Sequence, residues 1–308
     1  VTTTRRVLVT GATGFVGRAL LPALAASDRL VRAAARNPAD LPRSDRIEPV
    51  PMPDLAEPCD WGPLLAGIDE IVHLAGLPYR SGVEDTVYDR AIRAATGELA
   101  RACAGRSIQR FVYLSSVGAQ AGAAVEHPVH ETDAPHPVTA HDRAKLAAEA
   151  EVRGSRIPFT ILRPALLYGP HVKGNMALLM RISASPWPLP TAAFSNRRSF
   201  LAIENLVDAI VFCLNTPSTL GETYLVADPD PITLAEMITI LREAAQRSPP
   251  AGTPAPFEIL LRSSERSVLW DRIGGELVVD PGKLLAAGWR PPVETRGGLR
   301  ATVRAGFD

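Results

Sequence analysis

The chain has few cysteines, no net charge and no long apolar run, and each absence removes a class of protein. Cys59, Cys103 and Cys213 lie far apart among 308 residues and form no C-x-x-C pair. No redox dithiol, metal site or disulfide framework is indicated, and buried free thiols are expected. Thirty-three basic residues balance thirty-three acidic ones, which leaves no bulk positive field to hold nucleic acid or an anionic membrane. No apolar run reaches the roughly eighteen residues that cross a bilayer. The N-terminal Val-Thr-Thr-Thr-Arg-Arg has neither a signal-peptide apolar region nor a lipidation motif, so a cytoplasmic protein with no nucleic-acid or membrane partner is expected. What remains is an ordinary globular composition, 46% hydrophobic and 21% charged, in a chain long enough for one large domain or two.

Apolar runs and helical periodicity alternate through the first half. Residues 6–10 predict a strand, 14–26 a helix, 30–35 a second strand, and 68–74 a further apolar run ending at Ala75-Gly76. Helix 88–104, strand 111–115, helix 140–152 and strand 159–163 follow. Strands separated by helices imply parallel β-α-β units, hence an α/β fold with a doubly wound parallel Rossmann sheet. After Pro164 the pattern changes. Pro170, Pro186, Pro188 and Pro190 indicate loop around one short helix at 176–183, before helix 204–214, strand 222–226 and helix 233–246, the last opened by the capping pair Thr233 and Glu236. Residues 248–256 read as a linker, and a helix and strand lead to Gly288-Trp289-Arg290-Pro291-Pro292. The expected division is a dinucleotide-binding domain over 1–165, with 200–216 returning to it. A smaller, interleaved C-terminal substrate lobe takes 166–199 and 217–308.

Thr10 to Gly17 reads T-G-A-T-G-F-V-G, directly after the first strand and at the mouth of a helix. Gly11 suits the tight turn, Gly14 the close approach of backbone to phosphate, and Gly17 the contact of helix with sheet. The free N–H groups and positive dipole of the helix start then face the pyrophosphate of a dinucleotide. At the end of the second strand, where an NAD-binding protein usually has a carboxylate for the ribose hydroxyls, the chain reads A-A-A-R-N-P. Arg36, helped by Arg18, would pair with a 2′-phosphate, which favours NADP over NAD; a solvated surface arginine is the alternative. Asp54 either accepts from the adenine amino group or is an ordinary turn residue.

These residues, with H-L-A-G at 73–76, S-S at 115–116 and L-R-P-A-L-L-Y-G-P at 162–170, resemble the extended short-chain dehydrogenase/reductase superfamily. Within it the chain is similar to the NAD-dependent epimerase/dehydratase family that acts on sugar nucleotides. The resemblance covers nearly the whole length, since N-R-R-S-F-L-A-I-E-N-L-V-D-A-I at 196–210 and the closing G-W-R-P-P match too. It implies a cofactor site formed by Gly11, Thr13, Gly14, Phe15, Val16, Gly17, Arg36, Asp54, Leu55, Leu74, Ala75, Gly76, Lys145 and Pro164. It also implies a homodimer through helices 88–104 and 140–152.

That family carries Tyr-x-x-x-Lys on one helix and a Ser or Thr at the preceding strand end. At i and i+4 the ammonium lowers the phenol's pKa, and the phenol passes a proton as hydride moves to or from the nicotinamide. Here the stretch is A-H-D-R-A-K, with Lys145 present and His141 at the tyrosine position. Ser116 is the expected hydroxyl, with Ser115 the fallback, and Ile92 occupies the place of an asparagine common in relatives. An imidazole titrates near neutral pH and suits acid/base work, yet it is shorter than a phenol and its protonated form is disfavoured beside Lys145. Three outcomes stay open: a catalytic His141, altered chemistry on another small molecule, or a cofactor-binding protein without redox turnover.

His127, His130 and His136, with Glu131 and Asp133, fall in a proline-punctuated loop and are read as solvated rather than metal-binding; no metal is expected. His73, ending a buried strand, reads as a core or cofactor-rim residue. The resemblance assigns Arg198 to a substrate diphosphate and Asn175 to the substrate side, with Arg197 and Lys173 as helpers. Trp187 and Phe194 are either a wall for a flat group or core, and Tyr168 reads as structural or as part of the cofactor wall. The expected activity is an NAD(P)-dependent epimerase, ketoreductase or dehydratase on a nucleotide sugar.

Overall fold

Val7, Leu8 and Val9 have no exposed surface on either face, as a strand covered by helices on both sides must be. They belong to β1 (Arg5–Thr10), the middle of the sheet in the computed structural model of the chain. The structure describes residues 4–80, 82–122, 124–183, 196–248 and 275–306. Their contacts define two compact units, the first within 1–120, 135–163 and 207–224 and the second within 121–134, 164–206 and 225–306.

The main sheet comprises β1, β2 (Arg29–Ala35), β3 (Ile47–Pro51), β4 (Glu70–His73), β5 (Arg110–Leu114) and β6 (Phe159–Pro164), with the strand Glu222–Val226 at the edge. From that edge the order runs Glu222–Val226, β6, β5, β4, β1, β2, β3, and the pairs β3–β2, β2–β1, β1–β4, β4–β5 and β5–β6 are parallel. The chain order reverses between β1 and β4, so a crevice for ligand opens at the C-terminal ends of those strands. Helices α1 (Phe15–Ala25), α2 (Asp85–Tyr88), α3 (Ala95–Ala102) and α4 (Ala140–Gly154) connect them.

One side of the sheet packs Ile71, Phe111, Tyr113 and Ile161 against Ile92 and Leu99 of the α2–α3 stretch and Ala144, Ala148 and Val152 of α4. Fully burying each leucine or isoleucine side chain contributes about 1.5–3 kcal/mol. At the opposite end of the strands Glu70 is wholly buried and accepts from Arg29 Nε at 2.6 Å and Arg5 Nη1 at 3.0 Å.

The stretch expected as one helix over 88–104 is α2, a π-helical turn at Asp89–Ala94, and α3. Within this stretch Arg93 pairs with Asp89 and with Glu151, and Arg90 with Glu98. Helix Leu234–Ala244 opens with the capping box of Thr233 and Glu236. Residues 121–134 lie in the second unit rather than with 1–165, because the amides of Val125 and Val129 donate to the carbonyls of Glu276 and Val278. The returning segment is 207–224 rather than 200–216. Within the second unit Tyr168, Met180, Phe200, Met237, Leu241 and Leu299 form a separate core.

Candidate functional site

Four parallel strands deliver their following residues to one edge of the sheet: Gly11 after β1, Arg36 after β2, Leu74 to Gly76 after β4, and Ser115 and Ser116 after β5. The glycine turn occupies the point of reversal. Gly11 has φ +70°, and a Cβ there would stand 2.9 Å from Ala75 N, so only glycine gives this turn room beside the end of β4. A Cβ on Gly17 would meet the carbonyl oxygens of Gly11 and Ala12 at 2.6 Å, which fixes how closely α1 approaches the turn. Gly14 caps α1 without a side-chain hydrogen bond, and the first turn carries no acidic residue. Its leading amides and dipole therefore present an uncontested site for an anionic group. Thr13 and Phe15 are half-buried around the turn, Val16 is buried, and Arg18 Nε donates to the Thr13 carbonyl. This cradle fits the pyrophosphate of a dinucleotide.

Arg36 is exposed just beyond β2. Asp54 is exposed too, its Oδ1 accepting from the Ala56 amide as in an Asx turn, and the half-buried Leu55 accepts from Arg90 through its carbonyl. Across β1 from these, His73 Nδ1 lies 2.7 Å from Thr10 Oγ1 and Nε2 lies 3.0 Å from Thr96 Oγ1. Burial, then the charge of Lys145, pushes its pKa down to about 3. His73 is thus a neutral core residue, and Thr10 Oγ1 also accepts from Ala75 N, pinning the β4 end.

Helix α4 brings the candidate acid/base groups to this edge. Lys145 is buried and donates from Nζ to the Leu114 carbonyl at the end of β5, 2.8 Å away. Its ammonium stands 5.1 Å from the centre of the Tyr113 ring. Burial lowers its pKa to about 8, opposed by the Glu149 carboxylate. Gly76 borders the same amine, since a Cβ there would lie 3.8 Å from both Lys145 Nζ and Ile92 Cγ1. The apolar Ile92, wholly buried, thus takes up the space beside Lys145 in the π-helical turn.

His141 is one helical turn earlier, on the same face as Lys145. Its ring meets Tyr88 edge-on at 5.6 Å and Tyr79 edge-on at 6.4 Å between centres, and its Nδ1 is 3.3 Å from Asp142 Oδ1. The two serines differ sharply. Ser115 is buried and donates to Glu149 Oε1 at 2.6 Å. Glu149 in turn accepts from Arg163 Nε and Nη2 and from Arg153, while Arg163 Nη1 donates to Gln120. Ser116 is half-buried and its hydroxyl accepts from the Gly118 amide. Ser116 rather than Ser115 is therefore the hydroxyl outside the core network. Sequence reading overlooked Asp142, Tyr79, Tyr88 and Glu149. The spacing Thr139-x-x-Asp142 is a legible capping signal, and α4 indeed starts with that capping box.

Pro164, Asn175 and Arg198 lie in the second unit. Pro164 ends β6, and Asn175 is in the first turn of helix Gly174–Ser183. Arg198 is buried and donates from Nη1 to the Gly275 carbonyl, and burial lowers its pKa to about 10. Arg197 and Lys173 are exposed. Trp187 and Phe194 lie outside the described residues. Tyr168 is no stand-in for the missing tyrosine: its wholly buried hydroxyl donates to Asp228 Oδ2 at 2.8 Å and lies 3.2 Å from the Thr295 carbonyl. His130 Nδ1 is 3.1 Å from Asp280 Oδ2, and Glu131 accepts from the Leu225 amide. No cluster of three or more metal-ligating side chains occurs among the described residues. No helix among them is long and apolar enough to cross a membrane.

The strand order, the glycine turn at its reversal point and the buried lysine beside it define a dinucleotide-dependent α/β enzyme. More particularly, the chain belongs to the NAD dependent epimerase/dehydratase family, whose sequence profile matches residues 7–227. A UDP-glucose 4-epimerase from Vibrio cholerae is 30% identical over 98% of this chain and 95% of its own. A 3-diazoavenalumate denitrifying reductase from a Streptomyces species is 29% identical over 81% of this chain and 84% of its own. Among solved structures, a UDP-glucuronic acid 4-epimerase from Bacillus cereus in complex with NAD superposes with a TM-score of 0.79 at 21% identity, covering 97% of this chain and 98% of the other. That last likeness is one of fold.

Proposed function

We propose that the protein is an NAD(P)-dependent epimerase, ketoreductase or dehydratase acting on a nucleotide sugar, with His141 in place of the family's tyrosine. The observation that carries this reading is Lys145, buried and anchored to the end of β5 one helical turn from His141. The turn formed by Gly11, Thr13, Gly14, Phe15, Val16 and Gly17, with Leu74, Ala75, Gly76 and Pro164, would hold the dinucleotide, with Lys145 on its nicotinamide ribose. When bound, that cofactor supplies the hydride acceptor and donor for a ring carbon of the sugar. Ser116 orients the reacting oxygen, and His141 takes its proton on oxidation and returns it on reduction. Arg198 and Asn175 serve the diphosphate side of the substrate. The sugar-nucleotide class is supported by the relatives, named for UDP-glucose and UDP-glucuronic acid.

Arg36, exposed just beyond β2 where an NAD-binding protein usually has a carboxylate for the ribose hydroxyls, favours NADP over NAD, with Arg18 of α1 as its helper. Asp54 and Leu55 flank the adenine. A homodimer through the faces of α3 and α4, and a cytoplasmic location supported by three free thiols, complete the reading. Size-exclusion chromatography with light scattering tests the dimer.

The central experiment incubates the protein with NAD or NADP and a panel of UDP- and dTDP-sugars and follows the products by NMR. Interconversion or reduction at one ring carbon is expected, and it should be lost in His141→Ala. Cofactor binding without turnover across the panel, together with turnover gained in His141→Tyr, overturns the role of His141.

A further inference from the structure

We infer that Asp142 is a positioning residue for His141: its carboxylate holds the proton on Nδ1 and so makes Nε2 the nitrogen that exchanges protons with the substrate oxygen. The assignment rests on His141 as the acid/base of the proposed reaction. Asp142 Oδ1 stands 3.3 Å from His141 Nδ1. The other oxygen, Oδ2, accepts from Thr139 Oγ1 at 2.6 Å and from the Thr139 amide at 3.4 Å. A carboxylate that already receives two donors in the first turn of a helix sits where the dipole favours its anion. As an anion it can only accept, so the shared proton belongs to Nδ1.

The carboxylate has little room to leave. Asp142 is buried, and a Cβ on Gly118 would fall 2.1 Å from its Oδ1 and 2.5 Å from its Cγ. Glycine at 118, two residues after Ser116, therefore clears the space in which Asp142 presses against the turn that follows β5. The imidazole is held as well: Tyr88 of α2 and Tyr79 of the loop after β4 meet it edge-on, at interplanar angles of 84° and 86°. Among the described contacts, Asp142 is the charged group beside the ring on its own helix, with Lys145 one turn further on, and Tyr79 and Tyr88 are ionisable groups from the elements packed against it.

Which ring nitrogen carries the proton is set by what the other nitrogen bonds. In the oxidative direction the substrate O–H bond would break and an N–H bond form at Nε2, while the electron pair of the adjacent C–H bond would leave with the hydride for the nicotinamide of the NAD(P) on which the proposed function rests. The imidazolium then has a proton on each nitrogen, and its charge faces the Asp142 carboxylate. Reduction runs the same transfers backwards, with the Nε2 proton returned to oxygen.

Long-range proton–nitrogen NMR correlation on protein labelled at its histidine ring nitrogens reads the tautomer directly. The wild type is expected to show His141 protonated at Nδ1. In Asp142→Asn one side of the side chain becomes a donor, and the ring is expected to shift to the Nε2-protonated form. The expected fall in kcat is about 10²-fold or more, with KM little changed, because the wrong nitrogen then carries the proton. Gly118→Ala displaces the carboxylate while leaving every residue of α4 unchanged, and is expected to move the tautomer in the same direction; because Oδ2 also accepts from Thr139, the far-UV helical signal of both variants is read alongside, and a tautomer shift with that signal unchanged separates positioning from loss of the helix cap. A wild-type ring protonated at Nε2, or a tautomer unmoved in both variants, overturns the positioning role. A tautomer that moves with kcat unchanged leaves Asp142 in its role and overturns instead the reading of His141 as acid/base.

Discussion

The turn between β1 and α1 works through its backbone, whereas the first two turns of α4 work through side chains, though both reach the same edge of the same sheet. At Gly11 and Gly17 every added atom collides with a neighbouring backbone group, so the amides and the helix start are the functional surface and side chains are excluded. At His141 and Lys145 the backbone is ordinary helix, and what reaches the edge is an imidazole and an amine. A backbone site tolerates no change of volume, while a side-chain site can exchange one proton carrier for another on an unchanged scaffold. The comparison therefore separates binding from chemistry, and it can be broken by variants that fail to separate them.

The largest effect is expected at His141. His141→Ala should lower kcat by about 10²–10⁴-fold, the usual contribution of a positioned acid/base, while cofactor affinity by fluorescence titration stays within twofold or so of wild type. Equal loss of both would mean that α4, like the glycine turn, chiefly holds the cofactor.

Next is the amine. Lys145 has its pKa lowered from the ordinary 10.5 to about 8 by burial, with Glu149 opposing. Between those values the unfolded chain binds more protons than the folded one at this site, so stability rises with pH through that window. The penalty is fully present below about pH 8 and is relieved by about pH 10.5. Relative to Lys145→Met, wild type should gain about 3 kcal/mol across the interval in urea unfolding, at 1.36 kcal/mol per unit. Parallel stability curves would show that the amine is solvated and that the side-chain site is looser than its hydrogen bond to Leu114 indicates.

Gly17→Ala tests the backbone site. The new methyl meets two carbonyl oxygens and the Ala12 Cα within 2.7 Å, and overpacking of this kind costs about 1–3 kcal/mol. The expected outcome is a lower urea midpoint and weaker NAD(P) binding, with kcat at saturating cofactor near wild type. A fall in kcat with binding intact would reverse the comparison.

The same contrast separates what is legible in the sequence from what is not. The Rossmann sheet, the glycine turn, the capping box at Thr233 and the outer bounds of α4 follow from periodicity and local sterics, which are written in neighbouring residues. The surroundings of His141 and Asp142 are not local in that sense: Tyr79 and Tyr88, which meet the imidazole, come from before α3, and Gly118, which leaves room for the Asp142 carboxylate, from the turn after β5. Neither the burial of Ser115 by Glu149, 34 residues away, nor the commitment of Tyr168 to Asp228 shows in spacing. Helix 88–104 reads as continuous because the apolar pattern persists through the π-helical turn, where Ala91 and Ile92 are buried. The segment 121–134 has no periodicity at all, and its contacts distant in sequence, with residues 225 and 276–280, assign it to the second unit.

Arg36 offers the smallest and most selective effect, at a position where backbone and side chain both contribute. It follows Ala33, Ala34 and Ala35, all buried, so β2 fixes the Cα while the exposed guanidinium is free to reorient around a phosphate. An exposed charge contact of this kind is worth about 1 kcal/mol and is screened by salt. Arg36→Asp should therefore weaken NADP about tenfold or less and leave NAD unchanged or slightly tighter, because the new carboxylate can accept from the ribose hydroxyls. The wild-type NADP dissociation constant should rise steeply with added salt, and that of the variant should not. Unchanged NADP affinity, or equal salt slopes, would assign the adenosine end to the backbone of the glycine turn alone and remove the basis for preferring NADP.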